Sequence, residues 1–297
     1  VMLKLRHYLF LLLLASPLVN AMNGVIWQPQ LRDMTVSPTQ WTSLMQNLHR
    51  QGFDTLVLQW TQYGTAFSNA QDSQWLQLRA DAARKAGLKV IVGLHADPDF
   101  FSRQKQSAAA LSHYLTRLRM ADLRQAKAWN PVFQPDGWYI SAEIDDLNWR
   151  NPAARAQLIQ WLRDTRQQFA ALDTKPLYIS SFFAGHMTPE GYSRMLADIR
   201  QTGIQVWVQD GYGVDKLTPT ERQRYLTASA GCEGLTPASG TVYELFKTLP
   251  GKTFSAEPLP TAAMKSQLAA RSECNKDRLY FSLRYLPTAN GNLPWKS

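Results

Sequence analysis

The sequence predicts an α/β protein built as a single (β/α)8 TIM barrel behind an amino-terminal signal peptide, and three observations predict it. Eight β-rich runs recur along 297 residues, beginning near positions 24, 54, 88, 137, 177, 204, 241 and 278. Between them lie stretches long enough for a crossover helix and its loops, with no linker or low-complexity tract. One α/β barrel of about 250 residues accounts for the whole length. A doubly wound open sheet shares the alternation, but no Gly-x-Gly-x-x-Gly follows the first strand and no phosphate loop occurs.

Taken in order, residues 1–21 open with Lys4 and Arg6, continue through the apolar run Tyr8 to Ala15, break at Ser16-Pro17 and end on Val19-Asn20-Ala21. That is the pattern of a cleavable secretory signal, and the run is too short for a membrane span, for which about 18 apolar residues are needed. Cleavage after Ala21 leaves residues 22–297 as one domain and lowers the formal charge from +9 to +7. The expected location is the periplasm or the exterior, with no membrane span after cleavage.

The first strand, Gly24 to Gln28, is followed by Ser37-Pro38, an N-cap and a proline at the first helical position, and a helix to His49. A second strand from Thr55 to Trp60 leads to a helix over 72–86, which Gly87 stops before the third strand, Leu88 to His95. Helices over 108–128 and 152–172 feed the fourth strand, Gly137 to Asp145, and the fifth, Leu177 to Phe183. Thr188-Pro189 and Thr218-Pro219 open the next two helices, around the sixth strand, Ile204 to Asp210. Thr241 to Phe246, a helix over 260–271 and Arg278 to Arg284 complete the set.

Composition narrows the function classes. With 45 % hydrophobic and 19 % charged residues, 16 Gly and 16 Pro, the chain is neither disordered nor fibrous. Its basic residues are scattered rather than gathered into a stripe, which argues against a nucleic-acid groove and fits work near anionic polymers. Cys232 and Cys274 permit one disulfide in an exported chain. Ten Trp exceed what a core usually needs and hint at flat apolar ligands, although Trp41, Trp75 and Trp161 fall on helices and read as packing.

In such a barrel chemistry sits at the carboxyl ends of the strands. Glu143 and Asp145 on the fourth strand, Asp210 on the sixth and Glu244 on the seventh fall there, although carboxylates are depleted in strands. The fourth and seventh strands face each other across the mouth. Glu143 and Glu244 therefore supply the two carboxylates that glycoside hydrolysis requires, with Asp210 placed to raise the pKa of either. Around them Trp27, Gln28, Gln59, Trp60, His95, Gln209 and Tyr212 offer the aromatic faces and polar edges that bind sugars, with Tyr63, Trp149 and Phe182 as further aromatics. His95, Asp97 and Asp99 also read as a possible divalent site, but no His-x-His or His-Glu-x-x-His pattern accompanies them, so a loop role is preferred. No Gly-x-Ser-x-Gly elbow marks a serine hydrolase.

The glutamates on the fourth and seventh strands resemble the large clan of retaining glycosidases built on (β/α)8 barrels. The resemblance implies that Glu143 is the acid/base and Glu244 the nucleophile. Ala142 stands where that clan usually carries Asn. Nearly the whole chain beyond residue 21 also resembles a bacterial family of exported, glycosidase-like barrels of unknown function, through Gly24-Val25-Ile26-Trp27-Gln28, Tyr139 to Asp145, Trp207 to Gly213 and Val242 to Phe246. The resulting expectation is a hydrolase acting on an oligo- or polysaccharide of the cell envelope or exopolysaccharide, with no cofactor, no resident metal and a carbohydrate as partner. A saccharide-binding barrel serving polymer export or assembly, and a metal-dependent lyase or deacetylase, are the alternatives.

Overall fold

The structure, a computed structural model, describes residues 20–270 and 274–296, so the signal peptide expected over residues 1–21 lies almost wholly outside the described residues. Eight parallel strands close a barrel in sequence order: β1 (Asn23–Trp27), β2 (Thr55–Leu58), β3 (Lys89–Gly93), β4 (Gly137–Asp145), β5 (Leu177–Phe182), β6 (Gln205–Gln209), β7 (Gly240–Glu244) and β8 (Asp277–Phe281). Closure is direct, since Val25 of β1 pairs with Leu56 of β2 on one side and Tyr280 of β8 on the other. Each strand begins within one residue of its sequence-derived position.

The crossover helices are α1 (Pro38–Arg50), α2 (Ala70–Lys85), α3 (Ala108–Trp129), α4 (Pro152–Leu172), α5 (Pro189–Gln201), α6 (Pro219–Ala230) and α7 (Thr261–Ala269). Their starts are locally encoded. At α1 the Ser37 hydroxyl accepts from the Gln40 N–H while the Gln40 side chain accepts from the Ser37 N–H, and Pro38 fills the first position. Thr218 and Glu221 repeat the device at α6. After β8 the described chain forms two short 3-10 turns, Leu283–Tyr285 and Pro287–Ala289. No helix among the described residues is long and apolar enough to cross a membrane.

Strand periodicity divides the core in two. One residue from each strand points inward and the eight form a closed floor: Ile26, Val57, Ile91, Tyr139, Tyr178, Trp207, Val242 and Leu279. Trp207 fills the axis, stacked 4.5 Å from the Tyr178 ring and 5.7 Å from Tyr139. The alternate residues, including Trp27, Leu58, Val92 and Ile140, face outward into the larger helix-packed core with Trp41 and Trp161. Trp75 packs against the edge of that core.

Two features shape the mouth. In β4 the register jumps from Ile140 opposite Ile179 to Glu143 opposite Ser180, so Ser141 and Ala142 have no partners on β5. This bulge lifts Glu143 into the layer just above the floor. The second feature is a buried ion pair. Arg284 donates to Asp33 at 2.8 and 3.2 Å, and also to the carbonyls of Gln28 and Pro294, tying the loop after β1 to the chain after β8. Elsewhere, Cys232 and Cys274 are disulfide-bonded with Cα atoms 5.5 Å apart, joining the end of α6 to the approach to β8.

Candidate active site

Two residues beyond the floor, the same inward alternation presents Gln28, Gln59, Ser180, Gln209, Glu244 and Phe281, and the bulge adds Glu143 at the level of Ser180. An apolar floor is thus capped by a polar ring. The ring lines one cavity of about 410 Å³ open at the carboxyl ends of the strands, with Phe101, Phe182 and Phe254 around its rim. Gly93 keeps β3 out of the ring, because a β-carbon there would lie 2.1 Å from the Gln59 carbonyl oxygen.

Among the described residues, the acids of the site have no cation in hydrogen-bond contact. Burial pushes Glu143 up to about 7, and a hydrogen bond from Gln209 restrains that rise. Tyr139, beneath it, shares a 2.7 Å hydrogen bond with the Ser180 hydroxyl, and burial beside the Glu143 charge raises its phenol. Glu244 is raised well above the usual carboxylate range, first by burial, then by the charges of Asp210 and Glu143.

Asp210 does not reach the cavity. It follows Gln209, so it points outward and lies buried behind Glu244. There its carboxylate accepts from the N–H groups of Tyr212 and Glu244 at 3.1 and 3.2 Å, and from Gln267 Nε2 at 2.8 Å. Gln267, on α7, donates from the same nitrogen to the Glu244 carbonyl at 3.0 Å. Burial pushes Asp210 up to about 6, and these donors with the Arg222 charge hold it below what burial alone would give. After burial, the Asp210 charge is the next largest influence that makes Glu244 hard to ionise.

The other sequence-derived residues divide into two groups. Gln28, Gln59 and Gln209 line the cavity with both glutamates. Trp27 faces outward, its ring 4.4 Å from Trp41 and its Nε1 donating to Asp33. Trp60 is buried against Tyr63, with Nε1 donating to the Pro29 carbonyl, away from the cavity. His95 pairs with Gln62 in a small two-stranded sheet and donates its N–H to the buried Asp122. Tyr212 turns away beneath the Arg222 guanidinium, 5.1 Å from its ring centre. Trp149 is buried in the helix-packed core. For Trp27 the cause is strand parity, since a residue and its neighbour in a strand cannot both face the axis, whereas Trp60, His95, Trp149 and Tyr212 lie beyond the barrel strands.

Asp145 accepts from the Leu147 and Asn148 N–H groups and from the side chains of Asn148 and Gln104, which orders the loop after β4. Asp97 accepts from Tyr114 Oη and pairs with Arg103, and Asp99 pairs with the same Arg103. Among the described residues no three metal-ligating side chains converge. Sequence reasoning missed Ser180 and Phe281, which the inward alternation from Tyr178 and Leu279 would have found. It also missed Phe101, Phe254 and Gln267, which loops and a helix bring in from outside any strand pattern.

Fold and site together define a closed parallel α/β barrel with a two-glutamate cavity at its carboxyl end. The chain belongs to the family described as Domain of unknown function (DUF4434), whose profile matches residues 22–291. It is 58 % identical over 296 residues to an uncharacterized protein, YbcH, of Escherichia coli strain K12, covering 98 % of this chain and all of that one. Among solved structures it is similar to a Bacteroides thetaiotaomicron VPI-5482 protein proposed to be an alpha-L-fucosidase, with 16 % identity, a TM-score of 0.54, and 91 % and 89 % of the two chains covered. At that identity the likeness is one of fold.

Proposed function

We propose that this protein is an exported glycoside hydrolase that cleaves an oligo- or polysaccharide of the cell envelope or exopolysaccharide with Glu143 and Glu244. The observation that carries the reading is the meeting of these two glutamates, from β4 and β7, in one open cavity ringed by amides and aromatic side chains. Amides match sugar hydroxyls and aromatic faces match the C–H faces of the rings. Gln59 adds a buried Oε1 with no partner among the described residues, an acceptor available to a substrate hydroxyl. It supplies polar contact that Ala142 cannot.

The field around the pair supports an assignment of roles. Burial and the Asp210 charge raise Glu244 well above the usual carboxylate range, which favours its protonated form and the role of acid. Glu143 titrates near 7, so a substantial fraction is ionised and serves as the base or nucleophile. This reverses the order implied by the resemblance to retaining glycosidases. Glu244 gives its proton to the glycosidic oxygen as the bond to the anomeric carbon breaks. The Glu143 carboxylate either attacks that carbon or takes a proton from the water that does.

Reducing-end release from a cell-envelope glycan panel, followed by kinetics on the glycan that is cleaved, tests the reading. Glu143→Gln and Glu244→Gln should each lower kcat by about 10²–10⁴. Glu244→Gln should keep most activity on an aryl glycoside whose leaving group needs no proton, and Glu143→Gln should not. Unchanged rates in both variants would discard the assignment. The exchange of Asn for Ala142 favours a second reading, a saccharide-binding barrel without catalysis. That reading wins if a glycan binds both variants and the unaltered protein equally and no reducing ends appear.

A further inference from the structure

We infer that the cavity takes an acidic saccharide, a chain carrying uronic-acid carboxylates, and that Lys216 is its anionic-group anchor. The inference rests on the saccharide reading above and names the substrate class for that site. Among the described residues around the cavity, Lys216 is the one lysine or arginine. It sits in the loop after β6, exposed, and makes no ion pair or side-chain hydrogen bond among the described residues. It does not serve the catalytic pair, because the cation that influences Glu244 and Asp210 is Arg222. Asp215, its neighbour, is exposed and does not line the cavity. A positive charge kept at the edge of a cavity holding two acids, yet not used to neutralise them, is available to a ligand's acid.

The surroundings point the same way. Other loops at this end of the barrel expose Lys105, Lys252 and Lys247, the last opposite Glu257 in a short hairpin, whereas the acids Asp33, Asp97 and Asp99 pair with arginines. Exposed lysines thus stand around a cavity that holds two glutamates. That arrangement draws in a polyanion while leaving the glutamates to the bond being cleaved. Phe101 and Phe254, 47 % and 64 % exposed, stand in the loops after β3 and β7, on opposite sides of the mouth. Two large exposed rings flanking one cavity supply stacking surfaces for a chain laid across it.

Titration calorimetry with tetragalacturonate and hyaluronan tetrasaccharide as acidic probes, and tetragalacturonate methyl ester and maltotetraose as neutral ones, tests the inference. The acidic probes should bind and the neutral ones should be weaker. Lys216→Glu should lower acidic-probe affinity by about five- to tenfold. Lys127→Glu makes the same change in net charge near the carboxyl end of α3, at the other end of the barrel, and should change affinity less than twofold. Equal losses in the two variants would overturn the inference, because the attraction would then be diffuse. So would equal binding of ester and acid, which would leave the saccharide reading standing. If neither acidic probe binds, the inference falls as well, and the reducing-end assay decides the hydrolase reading independently.

Discussion

The mouth of this barrel contains two buried carboxylate sites that solve opposite problems. Asp33 and Arg284 are 1 % and 3 % exposed, and each meets the other and nearby polar groups: Asp33 also takes the Trp27 indole N–H and the Gln30 N–H. A few strands away, Glu244 and Asp210 are equally buried but lie beside each other and near Glu143, with no guanidinium in contact. The first site joins the beginning and end of the barrel through opposite charges that offset part of each other's desolvation. The second keeps like charges together, an arrangement that stability alone would not favour and that acid–base chemistry needs. Burial is common to both. What separates the latch from the proposed reaction centre is the sign of the nearest charge.

The sharpest way to break this contrast is to strip the latch. Arg284→Met leaves Asp33 buried without its cation and should cost about 3–5 kcal/mol, read as a lower urea midpoint. A loss below about 1 kcal/mol would show that the pair behaves like a surface ion pair and that the contrast is false. Next in size is Gln267→Leu, which removes the donor shared by Asp210 and the Glu244 carbonyl. It should cost about 1–3 kcal/mol. It should also push Asp210 further up, weakening the charge that raises Glu244 and moving the alkaline limb of any activity profile to lower pH, which a merely structural glutamine would leave in place.

The smallest effect has the opposite sign. Glu143 ionises near 7 in the fold against an ordinary 4.5, so the native state binds its proton more tightly than the unfolded chain does. Its contribution to stability is full below about pH 4.5 and is lost as pH rises through about 7. Glu143→Gln should therefore stabilise the protein by about 1–3 kcal/mol at pH 8 and by almost nothing at pH 4, measured by urea unfolding at both values. Destabilisation at pH 8 would mean that Glu143 is held by favourable contacts and belongs with the latch.

Much of the site was legible in strand alternation. Ile26 and Gln28, Val57 and Gln59, Trp207 and Gln209, and Val242 and Glu244 are each two apart, an apolar residue followed by a polar one on the same face. The same rule turns Trp27 and Asp210 outward, which reading residue types without parity obscures. Alternation could not place Glu143 at the level of Ser180, since two unpaired residues precede it in β4.

The sequence by itself determined the eight strand positions, the capped helix starts and the two glutamates on facing strands. These depend on contacts within a few residues or on a repeat of two, both of which are written locally. Only the tertiary structure decided that Asp210 stands behind Glu244, that Gln267 from α7 reaches both, and that Lys216, Phe101 and Phe254 share one mouth. Those groups lie on different βα units, and their meeting depends on barrel closure, which brings β8 against β1 and turns the ends of eight separate strands into a single surface.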